Sequence, residues 1–497
     1  MKILMVSSEA VPYAKTGGLA DMVSALSISL AKLGHEVKIV IPRYYSVDRS
    51  VLKKLPGELG TPMGSNFEEW SAVYTADMPG TGKKNPVQVY FIDHENFFGK
   101  DGIYGNPSEP DFLDNPRRFA FFCRTVFQLC RKIDWFPDVL HAHDWPAALA
   151  PVYLKFAEKV KGSKGGFDKT VSVLTIHNLG YQGIYSRDNF QYMGLGWDVF
   201  YNGGFEDWNM LNMLKAGLYS ADKLNTVSPN YAEETKKQEH GFRLDGVLRY
   251  RSADYSGILN GIDTGTWNPA KDKYIPQPYS VKDMEGKAKA KEALQKEFGL
   301  PQNASVPVIG IVSRLTDQKG VGDLFGPTYG SAWSICRDMD MQLVLLGSGD
   351  PWCEHEINNL ASRLSNFKAK IGYNEKYSHL IEAGSDFFLM PSLYEPCGLN
   401  QMYSLTYGTL PIVRRTGGLA DTVQNYNEKT GAGTGFMFDY LSPKSIYDTV
   451  NWAVWTWHNR KSDIEKMRER GMKLNFSWEQ SAEKYVELYS ITRSCRP

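Results

Sequence analysis

A six-residue string, Thr-Gly-Gly-Leu-Ala-Asp, occurs twice in this chain, at 16–21 and again at 416–421. Paired glycines permit a tight turn, and a helical pattern follows, so the first free N–H groups of the helix face outward. Helix starts of this kind receive phosphate, because unsatisfied N–H groups and the helix dipole both favour negative charge. Lys15 precedes the first copy and Arg415 the second, adding positive charge. The plain alternative is that a Gly-Gly turn begins a helix and does nothing more. One such start in each half implies two nucleotide-type α/β domains facing one cleft.

At 497 residues the chain is long enough for two or three domains. Lys plus Arg and Asp plus Glu each number 56, which argues against a polyanion or an anionic membrane as the main partner. The 28 Tyr and 12 Trp give modest support to a carbohydrate ligand, since aromatic rings stack on sugars as well as filling cores. Cysteines at 123, 130, 336, 353, 397 and 495 have neither zinc-like nor disulfide-like spacing, which points to a reducing compartment. The start of the chain does not read as a signal peptide, and no stretch approaches the roughly 18 apolar residues of a membrane span. A cytoplasmic protein is expected.

Short apolar runs alternate with amphipathic stretches, the pattern of βαβ units around parallel sheets. Strands are expected at 3–6, 37–41, 87–92, 139–141 and 171–176 in the first half, and at 308–312, 342–346, 387–390 and 410–413 in the second. Helices are expected at 18–33 and 116–132, with Cys123 and Cys130 on one core-facing side. A less regular stretch, 255–306, holds the hinge near its start. The domains are expected at 1–256 and 257–476, with a C-terminal helix within 477–497 returning to the first.

Chemistry-bearing residues cluster after the strands, where parallel sheets bind ligands. His141-Ala142-His143-Asp144-Trp145 brings two imidazoles, a carboxylate and an indole to one strand end. The imidazoles are expected on opposite sides of an extended chain, which disfavours a shared metal, and Asp144 and Trp145 suit a sugar. His177 and Asn178 follow the next strand on the same rim. In the second half, Arg314 and Lys319 lie five apart on a post-strand loop and favour a diphosphate clamp over solvated surface. Glu395, in Glu395-Pro396-Cys397-Gly398-Leu399, is open to three roles: nucleophile, sugar-hydroxyl ligand or helix N-terminal anion.

Together these strings resemble the glycogen/starch synthase family over nearly the whole length. The resemblance rests on Lys15 to Leu19, His141 to Trp145, Thr175 to Asn178, Asn225 to Pro229, Ile258 to Asp263, Ser313 to Leu315, Gln318 to Gly320, Glu395 to Leu399 and Thr416 to Leu419. It implies two Rossmann-like domains facing an interdomain cleft, the GT-B architecture. It also implies retaining transfer of glucose from ADP-glucose to the non-reducing end of an α-1,4-glucan, with no metal or other cofactor and neither nucleic acid nor membrane as partner.

By that resemblance His177, Arg314, Lys319 and Glu395 are the catalytic set. Lys15, Gly17, Gly18, Arg314, Lys319, Tyr373, Thr416, Gly417, Gly418 and Leu419 would hold the donor nucleotide and its phosphates, with Tyr373 stacked on adenine. Asp144, Trp145, His177, Asn178, Asn260, Glu395, Cys397 and Gly398 would surround the donor glucose. Departure and attack on one face, stabilised by the cations, rank above double displacement through Glu395. Cleft closure would gate turnover. The chain departs from the family at Asn400, Met402 and Ser404, where Thr, Leu and Gly are usual, and at Pro146, where His is usual. Asn400 remains a possible donor to phosphate. Starch as product, a glucan phosphorylase and a catalytically silent glucan binder are the competing readings.

Overall fold

In the computed structural model, residues 1–64, 66–160, 165–328 and 330–495 are described. The chain divides into two units. The first comprises Met1–Val227, Ala232–Gly261 and the terminal segment from Trp478; the second comprises Ser228–Tyr231 and Ile262–Ser477. The boundary falls after Gly261 rather than after 256, because the strand Tyr255–Gly257 pairs with Lys223–Thr226 and extends the first sheet.

The first unit is built on a ten-stranded sheet. Seven strands run parallel in the order Tyr255–Gly257, Lys223–Thr226, Val171–Ile176, Val139–His143, Lys2–Val6, Glu36–Pro42 and Gln88–Asp93. Phe67–Asp77 then adds antiparallel to Gln88–Asp93. The central strands are covered on both faces, which is why 3–6, 37–41 and 171–176 read as continuous apolar runs. The helix Gly18–Lys32 buries Leu19, Met22, Val23, Leu26 and Leu30, a three-to-four spacing that packs one stripe on the sheet. The terminal helix Trp478–Ser494 adds Trp478, Ala482, Tyr485 and Tyr489 to the same core; positions 496 and 497 of the expected segment lie outside the described residues. Cys123 and Cys130 are fully buried on the helix Asn115–Lys132.

The second unit carries a six-stranded, wholly parallel sheet: Phe367–Ile371, Gln342–Gly349, Val308–Leu315, Phe387–Met390, Leu410–Arg414 and Phe436–Phe438. Within the stretch 255–306, charged residues alternating with apolar ones form the helix Glu285–Phe298, stopped by Gly299 in the left-handed conformation, φ 68°. Among the described residues no helix is long and apolar enough to cross a membrane.

Each sheet reverses its winding once. The reversal lies between Lys2–Val6 and Val139–His143 in the first unit, and between Val308–Leu315 and Phe387–Met390 in the second. In open α/β sheets the crevice outside the carboxyl ends at such a switch point receives the ligand.

Candidate active site

At the first switch point the chain leaves Val6 through Ser7 and Ser8 to Glu9, which is almost wholly buried. The Glu9 carboxylate accepts from the Thr16 N–H at 2.5 Å, the Thr16 hydroxyl at 2.8 Å, the Gly17 N–H at 3.3 Å and the Tyr104 hydroxyl at 2.6 Å. The expected phosphate amide at Gly17 is therefore already engaged by a carboxylate, while the Lys15 to Gly18 loop stays exposed. Lys15 pairs with Asp21 at 2.8 Å. Beside the loop is a pocket of about 570 Å³ lined by Tyr13, Lys15, Thr16, Lys100, Asp101 and Tyr104, among others.

From the adjoining strand end, Asp144 sits in the left-handed region at φ 56° and accepts the His177 N–H at 2.7 Å and the Asn178 N–H at 3.5 Å. Burial opposes those amides and pushes its carboxyl up to about 7. His141 and His143 do not point to opposite sides. Residues two apart in a strand share a face, and their ring centroids lie 4.1 Å apart. His141 is hydrogen-bonded to Tyr489 at 2.8 Å and to Thr175 at 2.7 Å; His143 is bonded to His177 at 3.2 Å. Burial lowers His141 and His177 to about 3 and His143 well below its ordinary value, so the row is neutral at pH 7. Among the described residues no group of three or more His, Cys, Asp and Glu side chains is arranged to hold a metal ion.

Trp145 does not offer an open face. It is 8 % exposed, packed edge-on to Phe119 with ring centroids 5.0 Å apart, and a Cβ on Gly183 would meet it at 2.5 Å. Asn178 accepts the Gly180 N–H at 3.0 Å, shaping its own turn, and Asn260 is buried with Oδ1 lacking a partner.

At the second switch point Arg314 stands near the end of the strand Val308–Leu315 itself, not on the loop after it as expected, because the pairing with Gln342–Gly349 continues to Leu315. Lys319 closes the turn Asp317–Lys319, and Glu395 comes from the loop after Phe387–Met390. Lys319 Nζ donates to Glu395 Oε2 at 2.5 Å, and the Ser392 hydroxyl donates to the same oxygen at 2.9 Å. The Arg314 guanidinium donates to Gln318 Oε1 at 3.1 Å, and the Gln318 carbonyl accepts the Leu393 N–H at 2.9 Å. Gln401, fully buried, donates to the Cys397 and Gly398 carbonyls at 3.1 Å each, fixing the loop in which Gly398 takes φ 71°. Tyr373 is 79 % exposed just beyond the carboxyl end of Phe367–Ile371, after Gly372 at φ 119°.

The second copy of the repeated string differs physically from the first. Thr416, Gly417, Gly418 and Leu419 are buried, and the helix Gly417–Thr422 lies directly on the 395–397 loop. A Cβ on Gly417 would meet the Glu395 carbonyl oxygen at 1.9 Å, and one on Gly418 the Cys397 carbonyl oxygen at 1.9 Å. Of the amides expected to receive phosphate, those of Thr416, Gly418 and Leu419 donate within the unit, to Arg414 O, Glu395 O and Thr416 O. The glycines serve close backbone approach that places Glu395. Asn400 Nδ2 likewise donates to the Val312 carbonyl at 2.7 Å, not outward. Ser404 satisfies buried Glu382 with a 2.5 Å hydrogen bond, which accounts for a hydroxyl where the resembled family usually has glycine.

Sequence reasoning missed Glu9, Tyr104 and Ser392, and quoted Gln318 only within a string, without a role. The signal for Glu9 and Ser392 was their place just beyond a strand; Tyr104 arrives from an irregular loop with no such mark.

Residues 2–250 match the family model described as "Starch synthase catalytic domain", and residues 293–473 match "Glycosyl transferases group 1". The chain is 59% identical over 490 residues to glycogen synthase of Treponema denticola, covering 99% of this chain and 98% of that one. It is 46% identical to glycogen synthase 1 of Geobacter metallireducens, covering 98% and 95%. Among solved structures it is similar to the catalytic domain of Starch Synthase IV from Arabidopsis thaliana bound to ADP and acarbose, with a TM-score of 0.86, 30% identity and 99% of both chains covered. Sucrose-phosphate synthase from Thermosynechococcus elongatus, at 17% identity and a TM-score of 0.58 over the full length of both chains, shares the fold.

Proposed function

Starting from a chain that belongs to the glycogen/starch synthase family, we propose that it transfers glucose from ADP-glucose to the non-reducing end of an α-1,4-glucan with retention of configuration. The observation that carries this reading is the Lys319–Glu395 pair at the second switch point, with Arg314 beside it. As the glycosidic bond to ADP lengthens, negative charge grows on the diphosphate, and two cations aimed there stabilise it without reorganisation. The row of imidazoles is neutral at pH 7, so the countercharge comes from Arg314 and Lys319 rather than from histidine.

Glu395, held by Lys319 and Ser392, is suited to accept hydrogen bonds from sugar hydroxyls. Tyr373, largely exposed, is the aromatic residue assigned to stack on the base. In the first unit, the pocket beside Lys15 and Tyr104 suits the glucan acceptor, being rich in donors and ring faces. Attack by the acceptor hydroxyl on the face the diphosphate leaves accounts for retention with no covalent enzyme intermediate: the new glycosidic C–O bond replaces the anomeric C–O bond to ADP, and the hydroxyl proton passes to the departing diphosphate oxygen. The six cysteines are all free, which suits a reducing cytoplasm.

The test is product analysis with purified protein, glycogen and either ADP-glucose or UDP-glucose, with no added metal. Proton NMR of the extended glucan is expected to show new α-1,4 linkages from ADP-glucose. Extension from UDP-glucose alone would reverse the donor assignment, and no extension from either would favour a silent glucan binder.

A further inference from the structure

We propose that the hairpin tip at Trp208 is a second α-glucan contact, outside the pocket beside Lys15; this rests on the reading of an α-glucan as acceptor. The strands Glu206–Asp207 and Met210–Asn212 pair antiparallel, with Asp207 opposite Met210, so the loop between them is only Trp208 and Asn209. Both take left-handed backbone angles, φ 52° and φ 63°. A two-residue turn of that kind favours Asn and Gly, and a bulky aromatic residue at positive φ is strained. Trp208 is nevertheless 82 % exposed. Neither local conformation nor burial explains a tryptophan there; an external ligand does.

The surroundings fit a sugar better than an apolar or charged partner. Arg187 donates to Asn209 Oδ1 at 2.5 Å, and the Asn209 N–H donates to Glu206 Oε1 at 2.9 Å, so the tip is braced by groups that also bond hydroxyls. The Arg187 guanidinium lies 5.9 Å from the centroid of Trp197, itself 41 % exposed. An exposed ring flanked by neutral and charged hydrogen-bonding groups matches a pyranose, which has an apolar face and a polar rim. A polymer acceptor supplies such faces in series, so a second contact raises affinity for long chains by holding them at high effective concentration.

Trp208→Gly tests this cleanly, because glycine relieves the φ 52° strain and is expected to leave the melting temperature unchanged or higher. Two readouts are compared with wild type: retardation in native gels containing glycogen, and transfer to maltotriose, which is too short to need a second contact. Glycogen affinity is expected to fall about fivefold to tenfold, with maltotriose kinetics unchanged and Trp208→Tyr restoring most of the loss. Unchanged glycogen retardation in Trp208→Gly overturns the proposal. Equal loss towards maltotriose and glycogen also overturns it, by placing Trp208 in the reaction site itself. Absence of transfer to maltotriose by the wild-type protein would instead count against the proposed reaction.

Discussion

The two copies of one hexapeptide are predicted to respond very differently to the same substitution. In Gly418→Ala the new Cβ would lie 1.9 Å from the Cys397 carbonyl oxygen, with the Cys397 C and Cα at 2.6 Å. All three are backbone atoms, so no side chain can turn aside. Opening the contact to 3.0 Å, below which real Cβ atoms are essentially never found, moves the helix and the 395–397 loop apart by about an ångström. Overpacking of this kind costs about 1–3 kcal/mol, and the weakened Gly418 N–H bond to Glu395 O adds about 1 kcal/mol. Alanine's helix preference returns up to about 1 kcal/mol, leaving a net loss of roughly 1–4 kcal/mol. For a unit of this size the middle of that range lowers the melting temperature by about 5–10 °C. Displacing Glu395 by that distance is expected to reduce turnover about 10²-fold. At Gly17, whose backbone is extended at φ −156°, a Cβ meets nothing within 4 Å. Gly17→Ala there replaces one N-cap residue with a poorer one, costs at most about 1 kcal/mol and leaves turnover close to wild type. Calorimetry and initial rates on the two variants decide the matter. Equal losses at both positions, or a Gly418→Ala enzyme as stable and active as wild type, would refute the close-approach account.

The buried imidazoles and Asp144 should give stability opposite dependences on pH. His141 and His177 have folded values of about 3, below the unfolded 6.5, so their contribution is present above 6.5 and lost as pH falls towards 3. Asp144 is raised to about 7 from 3.8, so its contribution is full below 3.8 and lost as pH rises through 7. Melting curves from pH 7.5 to 4.5 should therefore show a shallower acid loss in His141→Gln and a steeper one in Asp144→Asn. Tyr373→Ala should raise the KM for ADP-glucose by about tenfold with kcat little changed, as measured by initial rates, because it removes a stacking surface and no charge. Glu395→Gln should lose most turnover, and mass spectrometry of wild-type protein during turnover should find no glucosyl adduct on Glu395; such an adduct would restore double displacement.

The double winding was legible because each central strand is a continuous apolar run and each switch-point loop carries polar motifs. The strands Lys223–Thr226 and Tyr255–Gly257 were not, since the strings Lys-Leu-Asn-Thr and Tyr-Ser-Gly lack a run long enough to separate from loop. Arg314, Lys319 and Glu395 were found as residues, but the 2.5 Å contact across the sheet's reversal is a consequence of strand order. The repeated string misled in detail. Identical letters form an exposed loop held by Glu9 in one unit and a buried helix start in the other, because what surrounds each copy comes from distant segments. Trp145 read as a sugar platform because its burial depends on Phe119, Tyr104 and Tyr185, which no local pattern links to it.

The central claim is that the cations at the second switch point drive departure of the diphosphate. Its most direct test is kcat for glucose transfer from saturating ADP-glucose in Arg314→Ala and Lys319→Ala, each with wild-type melting behaviour established. A fall of about 10²-fold or more in each is predicted, because on the proposed reading each substitution would remove a charged contact to the leaving group. Near-normal kcat in both variants would contradict the account.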